Sequence, residues 1–470
     1  MGPVEIQITA ISETDISVST QYPSDTAPLR RRWQANRSVI DGICADLNHT
    51  LDDTMTEPLS EEEAGERHSE IGRRLRALGL ALFQEMLKEE GDLIKQVGRS
   101  LDDERYIIFK IDRSLAYLPV ELMHDGEGFL SQKIALGRVI YADEAIELAA
   151  QDRAAPQRVL LAGDPSDDPA TRDDIEEEIK VLKRVFSRAA GFSLKISIGP
   201  DVDRKSILTD LPGTAVFHFT GHGTVSDAAN RTGIKLGGGK VLSGEDLRGL
   251  QDPPTFAFLN TCTAAPRSAW RGSLGLVETL LRRGTKACVA SLWDLKSKVA
   301  ARLASRFYTH LLDGDTFGHA LCKARSEMMQ TFGIHDMTWA AYTLYGDPRL
   351  TLLPPEAAGP RRKSGLRAFA ALSVILFLLA VLFFPVSIGK ENLGTQTSIP
   401  VGYLVVESRP ADATILIDGE DKGVTPSALE IAVGSHHVVL QKHGYRRWEA
   451  WVEVNRRERT VLRPQMVKLQ

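Results

Sequence analysis

The sequence predicts an α/β fold: a mostly parallel sheet flanked by helices, followed by one transmembrane helix and a small all-β C-terminal domain. Three observations carry this prediction. Between residues 158 and 312, short apolar runs alternate with helical stretches, the pattern of a parallel sheet covered on both faces. From Ala368 to Gly389 no residue is charged. After residue 401, strand-like alternation is punctuated by Asp-Gly, Lys-Gly, Gly-Ser and His-Gly turn pairs.

The elements follow in order. Val4 to Thr20 alternates apolar and polar residues, as a hairpin at a sheet edge would. Helical stretches are expected near 28–47 and 60–97. The second opens with Ser60 and then Glu61, Glu62 and Glu63, an N-cap and acids that suit the helix dipole. Together these residues make a mixed α/β N-terminal domain, 1–99, without the 34-residue self-similarity of a tetratricopeptide array. The sheet domain is placed at 100–355. Its strands are expected at Arg158–Ala162, Ser193–Ile198, Thr214–Phe219, Phe256–Leu259 and Lys286–Leu292. Its helices are expected at about 172–189, at Leu274–Arg283 before Gly284, and at Ser297–Leu312 before Gly314. A basic juxtamembrane linker (356–367), the transmembrane helix (368–388), a second linker (389–400) and the β domain (401–470) complete the chain of 470 residues.

The charge-free run of 22 residues makes roughly 33 Å of helix, enough for a hydrocarbon core. The alternative is a buried helix of a large soluble domain, but such helices are shorter and carry polar interruptions. Arg361, Arg362, Lys363 and Arg367 precede the run and only Lys390 follows closely. The positive-inside rule then keeps the N-terminal part in the cytoplasm and puts the tail outside. All four cysteines (Cys44, Cys262, Cys288 and Cys322) precede the run, and a cysteine-free tail suits an oxidising compartment. The first ten residues contain Glu5 and no apolar core, so they do not make a signal peptide.

Composition excludes several classes. Lys plus Arg is 57 and Asp plus Glu is 62, a net charge of -5, so the basic excess of a nucleic-acid binder is missing. Four cysteines in this length are no disulfide framework.

In an open parallel sheet, functional groups lie beyond the C-terminal strand ends, and two ends carry reactive side chains. The third expected strand runs into Thr220, Gly221, His222 and Gly223, and the fourth into Asn260, Thr261, Cys262 and Thr263. A thiol attacks a carbonyl once a base lies close, and an imidazole supplies one. The amides of Gly223 and Cys262 are then natural oxyanion donors. The plainer readings are a small buried cysteine and a loop histidine. His218 and His222 are four apart, but the residue after His218 is Phe219 rather than glutamate and the segment is strand-like, so no metal is expected. His218 reads as a strand residue that packs or orients. Gly237 to Gly239 and Lys240 lack the hydroxyl residue and helix of a phosphate loop and read as a hairpin turn. Gly163-Asp164-Pro165 likewise lacks a phosphate-loop fingerprint, so a nucleotide-binding domain is not expected, and no cofactor is expected.

The run from Val216 through His222 and Gly223, followed by Phe256 through Cys262, resembles the CHAT family of caspase-like and separase-related cysteine peptidases. The similarity continues through Gly275-Leu276, Ala290-Ser291-Leu292-Trp293-Asp294, Phe307-Tyr308, Ala324-Arg325 and Tyr345-Gly346-Asp347-Pro348, with Leu118-Pro119-Val120-Glu121-Leu122 as the lead-in. The resemblance covers about residues 100–353. It implies a caspase–hemoglobinase-like fold with His222 and Cys262 as the catalytic dyad. Asp164 and Asp294 follow the first and fifth strands and are offered as walls of a pocket for a basic side chain. A turn residue before Pro165 and a helix N-cap are the preferred readings of the two. The tail resembles a PEGA domain on Gly402, Ser408, Pro410, Asp418-Gly419, Gly423, Thr425-Pro426, Gly434 and Gly444-Tyr445, although the signature quartet stands as Pro410-Ala411-Asp412-Ala413. Tyr445, Trp448 and Trp451 are candidates for a contact patch or for the small core.

The expectation is therefore a membrane-tethered cytosolic cysteine endopeptidase. Its partners are a protein substrate in the cytosol, the lipid bilayer, and an envelope or surface partner for the tail, with no nucleic acid. A catalytically inactive, membrane-anchored scaffold is the alternative.

Overall fold

The computed structural model describes residues 3–22, 29–55, 61–87, 90–91, 94, 106–141, 157–164, 169–189, 191–199, 202–226, 231–263, 274–293 and 297–352. In the tail it describes 401–411, 413–417, 420–432, 434–442, 444–445, 447–454, 459–462 and 464–468. The chain forms two compact units, Met1–Ser364 and Gly365–Gln470.

The first unit opens with β1 (Val4–Ala10), β2 (Asp15–Tyr22), β3 (Leu29–Asn36), α1 (Arg37–Met55) and α2 (Glu61–Leu87). Next come β4 (Tyr106–Asp112), α3 (Leu130–Lys133), β5 (Ala135–Tyr141), β6 (Gln157–Gly163), α4 (Pro169–Phe186), β7 (Phe192–Ile198) and α5 (Arg204–Asp210). The site-bearing part continues with β8 (Thr214–Ser226), β9 (Arg231–Lys235), β10 (Val241–Ser243), β11 (Phe256–Thr263), α6 (Leu274–Arg282) and β12 (Ala287–Ser291). It ends with α7 (Ser297–Leu312), α8 (Phe317–Phe332), α9 (Thr338–Ala341) and β13 (Tyr342–Gly346).

Among the described residues one sheet of 13 strands carries the unit. Its order is β7-β6-β8-β11-β12-β13-β5-β4-β1-β2-β3, with β9 and β10 attached at the far end of β8. From β7 to β12 the strands are parallel, while β13 runs antiparallel to β12. Neighbouring residues of the central strands enter opposite cores. Phe217, Phe219, Ala257 and Leu259 pack in the core that includes Leu276, Val277 and Leu280 of α6. Val216, Phe256 and Phe258 pack in the core that includes Ile179 and Leu182 of α4, Leu303 and Phe307 of α7, and Leu321 of α8. Each fully buried side chain of this kind contributes roughly 1.5–3 kcal/mol, so both faces hold the strand order.

Several expectations change. The stretch 29–36 is strand, not helix: β3 pairs along its whole length with β2, and the helix begins at Arg37. α2 runs to Leu87, and beyond it the described residues Glu90, Gly91 and Ile94 are again helical. β1 pairs in parallel with β4, so the sheet runs straight across the boundary expected at residue 99. The hairpin turn expected at Gly237–Gly239 is present, as a 3-10 turn between the antiparallel strands β9 and β10. The expected transmembrane helix, 368–388, and the linkers 356–367 and 389–400 lie outside the described residues. Among the described residues no helix is long and apolar enough to cross a membrane.

The second unit contains β14 (Val401–Val406), β15 (Thr414–Ile417), β16 (Glu420–Val424), β17 (Ser427–Ala432), β18 (Gly434–Gln441), β19 (Trp448–Val454) and β20 (Arg459–Leu462). Two sheets, β17-β14-β20 and β16-β15-β18-β19, share a core of Leu404, Val406, Ile415, Ile417, Val438, Leu440, Val452 and Val454. Tyr445 and Trp448 pack against that core. The hydroxyls of Ser408 and Thr425 contact each other, and Thr425 Oγ1 accepts from the Ala413 amide at 3.1 Å. The Ser, Thr and Ala positions of the tail motif thus form one knot.

Candidate active site

The site stands where β6 and β11 end against β8, which runs on to Ser226 and pairs there with β9. β8 and β11 pair in parallel through eight consecutive positions, and the register sets Thr220 opposite Asn260, Thr261 opposite Gly221, and Cys262 opposite His222. Parallel neighbours lie about 4.8 Å apart. Two residues separated by 40 positions in sequence therefore share one rung of the sheet. The carbonyl of Thr261, one residue before the cysteine, accepts a hydrogen bond from Ser291 Oγ at 2.6 Å, which ties β11 to the end of β12.

His222 is partly open, with 34% of its side chain exposed. Its Nδ1 lies 3.3 Å from Oδ2 of Asp164, whose carboxylate is buried at the end of β6. A carboxylate accepts, so Nδ1 carries the proton and Nε2 keeps its lone pair. The other carboxylate oxygen, Oδ1, is buried and makes no hydrogen bond among the described residues. The Asp164 amide donates to the Thr220 carbonyl at 3.0 Å, which extends the β6–β8 pairing to the residue that holds the imidazole.

Gly221 makes this approach sterically feasible. Its φ is +151°, and a Cβ at that position would lie 2.6 Å from Cβ of Asp164. Any larger residue would drive the carboxylate away from β8. The glycine before His222 is thus required by the close contact of two strand ends.

The sequence offers Asp164 as a pocket wall or a turn residue. The structure puts its carboxylate to another use, as the partner of His222. Nothing local signals this, because the two residues are 58 positions apart. Asp294 lies outside the described residues. Gly223 stands opposite Thr263 on one side and Ile234 on the other. His218 is a buried strand residue, as expected, bonded to Glu178 and Tyr308. Among the described residues no cluster of metal-ligating side chains occurs.

A parallel α/β sheet with histidine and cysteine on adjacent strand ends defines a caspase-like domain. The chain belongs to the CHAT domain family, a separase-related group of cysteine peptidases, whose family model matches residues 72–347. Residues 401–470 match the PEGA domain. Two crystal structures of the Saccharomyces cerevisiae separase–securin complex share the fold. One matches with a TM-score of 0.51 and 12% identity over 74% of this chain. The other matches with a TM-score of 0.50 and 11% identity over 73%. In both cases the matched region is 30% of the other chain, so this chain resembles only part of that larger protein. No curated protein matches the chain at a significant level.

Proposed function

We propose that the chain is a cysteine endopeptidase in which Cys262 is the nucleophile, His222 the general base and then acid, and Asp164 the group that orients His222. The single observation that carries this is the shared rung of His222 and Cys262, with the Asp164 carboxylate on the far nitrogen of the imidazole. Nε2 of His222 takes the thiol proton, and the thiolate adds to the scissile carbonyl. The backbone amides of Gly223 and Cys262 serve as oxyanion donors. When the C–N bond breaks, His222 returns the proton to the leaving amine. Water activated by the same imidazole then hydrolyses the thioester. Asp164 stabilises the imidazolium that forms in between. Asp294 is the candidate for a pocket that receives a basic side chain.

The substrate is a cytosolic protein. The peptidase is held at the membrane by a helix over 368–388, with the PEGA domain outside as an envelope-binding or sensing module. Charge asymmetry around the apolar run supports this topology.

Labelling with a peptide-based thiol electrophile tests the chemistry. Cys262→Ala abolishes labelling and His222→Ala reduces it strongly, whereas unchanged labelling of Cys262→Ala refutes the nucleophile. A scaffold without activity would show no labelling in the native chain. Protease added to intact cells tests the topology. Loss of the tail alone is expected, and loss of the N-terminal unit overturns it.

A further inference from the structure

Below the His222–Cys262 rung lies a buried polar cluster that the chemistry above does not use. Glu178 of α4 is 3% exposed. Its Oε1 accepts from His218 Nε2 at 3.1 Å and from Asn260 Nδ2 at 2.9 Å. Its Oε2 accepts from Thr220 Oγ1 at 2.7 Å and from Asn260 Nδ2 at 2.7 Å. Tyr342 donates its hydroxyl proton to Asn260 Oδ1 at 2.7 Å, which fixes the amide so that its nitrogen faces Glu178. The Tyr308 hydroxyl lies 3.2 Å from His218 Nδ1. Burial, with the charge of Glu178 added, holds the Tyr308 phenol well above its ordinary value. It therefore stays neutral and can donate to Nδ1, leaving Nε2–H for Glu178.

This arrangement is expensive. A carboxyl group is kept out of water by side-chain donors in a position bordered by Ile175, Ile179 and Leu182, where a leucine would pack without desolvation cost. The donors come from both strands of the site: His218 and Thr220 from β8, Asn260 from β11. Thr220 and Asn260 are themselves register partners, two residues before His222 and Cys262. The same helix also reaches the end of β6. A Cβ on Gly163 would lie 2.6 Å from Cγ2 of Ile175, and Asp164 is the next residue. One helix thus touches all three strand ends that carry the proposed catalytic groups.

We propose that Glu178 is a positioning residue: through His218, Thr220 and Asn260 it locks the ends of β8 and β11 in the register that sets His222 beside Cys262, and so controls the reactivity of the cysteine without touching substrate. The proposal rests on the dyad reading. A displacement of the strand ends by a fraction of an ångström lowers the thiolate population and its alignment together.

The test is the rate of Cys262 alkylation by iodoacetamide, read by peptide mass spectrometry on the full chain across pH 5 to 10, with far-ultraviolet circular dichroism as the check on folding. Glu178→Gln is expected to slow alkylation at neutral pH by about tenfold and to move the midpoint of its pH profile upward. Thr220→Val is expected to do the same to a smaller extent, while Thr220→Ser, which keeps the hydroxyl, restores the native rate. Native rate and midpoint in folded Glu178→Gln overturn the proposal. Should Glu178→Gln not fold, the Thr220→Val and Thr220→Ser pair decides, with equal rates in the two refuting it. His222→Ala separates the two claims. If it leaves alkylation unchanged, the dyad fails, and this proposal with it. If it slows alkylation while the Glu178 and Thr220 variants do not, only the positioning role fails.

Discussion

Among the described residues of the first unit three glutamates are buried, Glu90, Glu121 and Glu178, and the last two are satisfied in opposite ways. Glu121 is held by a cation: Arg138 donates its Nε to Oε1 at 3.0 Å and its Nη2 to Oε2, and Thr343 adds a hydroxyl at 2.9 Å. A second buried guanidinium, Arg325, stands nearby. Burial pulls its pKa down, and the charge of Glu121 opposes that. Glu178 is held instead by a histidine, a threonine and an amide. Their positions differ as well. Glu121 and Arg138 lie at the seam where β13 meets β5, a short parallel contact at Tyr345 and Arg138. Glu178 lies under the strand ends of the site. The two clusters meet at Tyr342, whose carbonyl accepts from Arg325 and whose hydroxyl donates to Asn260. The difference teaches that an arginine–carboxylate pair is suited to fastening a weak seam, whereas a set of short, directional donors sets orientation at a site without placing a guanidinium there.

The largest expected effect breaks the seam. Arg138→Met strands the Glu121 charge and should cost about 3–5 kcal/mol in urea unfolding. Replacing both partners, Arg138→Met with Glu121→Leu, should recover much of that. Folded molecules of either variant should keep native Cys262 reactivity. Equal loss of reactivity in these variants and in Glu178→Gln would erase the distinction. Gly221→Ala comes next. The strained φ and the clash with Asp164 should cost about 1–3 kcal/mol and reduce Cys262 labelling, and an unaltered labelling rate would show that the Asp164 contact is dispensable. Glu178→Gln should cost about 1–3 kcal/mol, less than Arg138→Met, while harming reactivity more.

The last effect comes from a buried group with no such network. Burial, reinforced by Asp41, pushes the Cys44 thiol from 9.0 up to about 12. The folded state therefore holds this proton more tightly than the unfolded chain. Its contribution to stability is complete below about pH 9 and is lost as pH rises towards 12. Urea midpoints at pH 8 and pH 11 should show the loss, and Cys44→Ala should flatten it. The same high pKa keeps Cys44 nearly free of thiolate at neutral pH, so Cys44 does not compete with Cys262 for alkylation.

Much of the central sheet was legible. β6, β8, β11 and β12 are near-continuous apolar runs because both faces are covered, β7 alternates at the edge of the sheet, and α7 spans the predicted residues. The edge was not. Leu29–Asn36 contains three consecutive arginines, and its identity as a strand comes from pairing with β2 rather than from its own pattern. Asp164 reads as a turn beside Pro165 until β6 and β8 are set side by side. Glu178 ends the run Glu176-Glu177-Glu178 and looks like part of a solvated face. Its only local signal is its phase with Ile175, Ile179 and Leu182, which places it on the buried stripe of α4.

The sequence alone determined the alternation of strands and helices around β6, β7, β8, β11 and β12, the placement of His222 and Cys262 just after the apolar runs of β8 and β11, and the β nature of the tail. These follow from periodicity and turn chemistry, which act over a few residues. Only the tertiary structure decided that His222 and Cys262 share a rung, that Asp164 serves His222, that Glu178 bridges the two strands, and that β1, β2 and β3 join the same sheet. Each of those depends on pairings between residues tens of positions apart, and a carboxylate has no role until the fold determines which donors surround it.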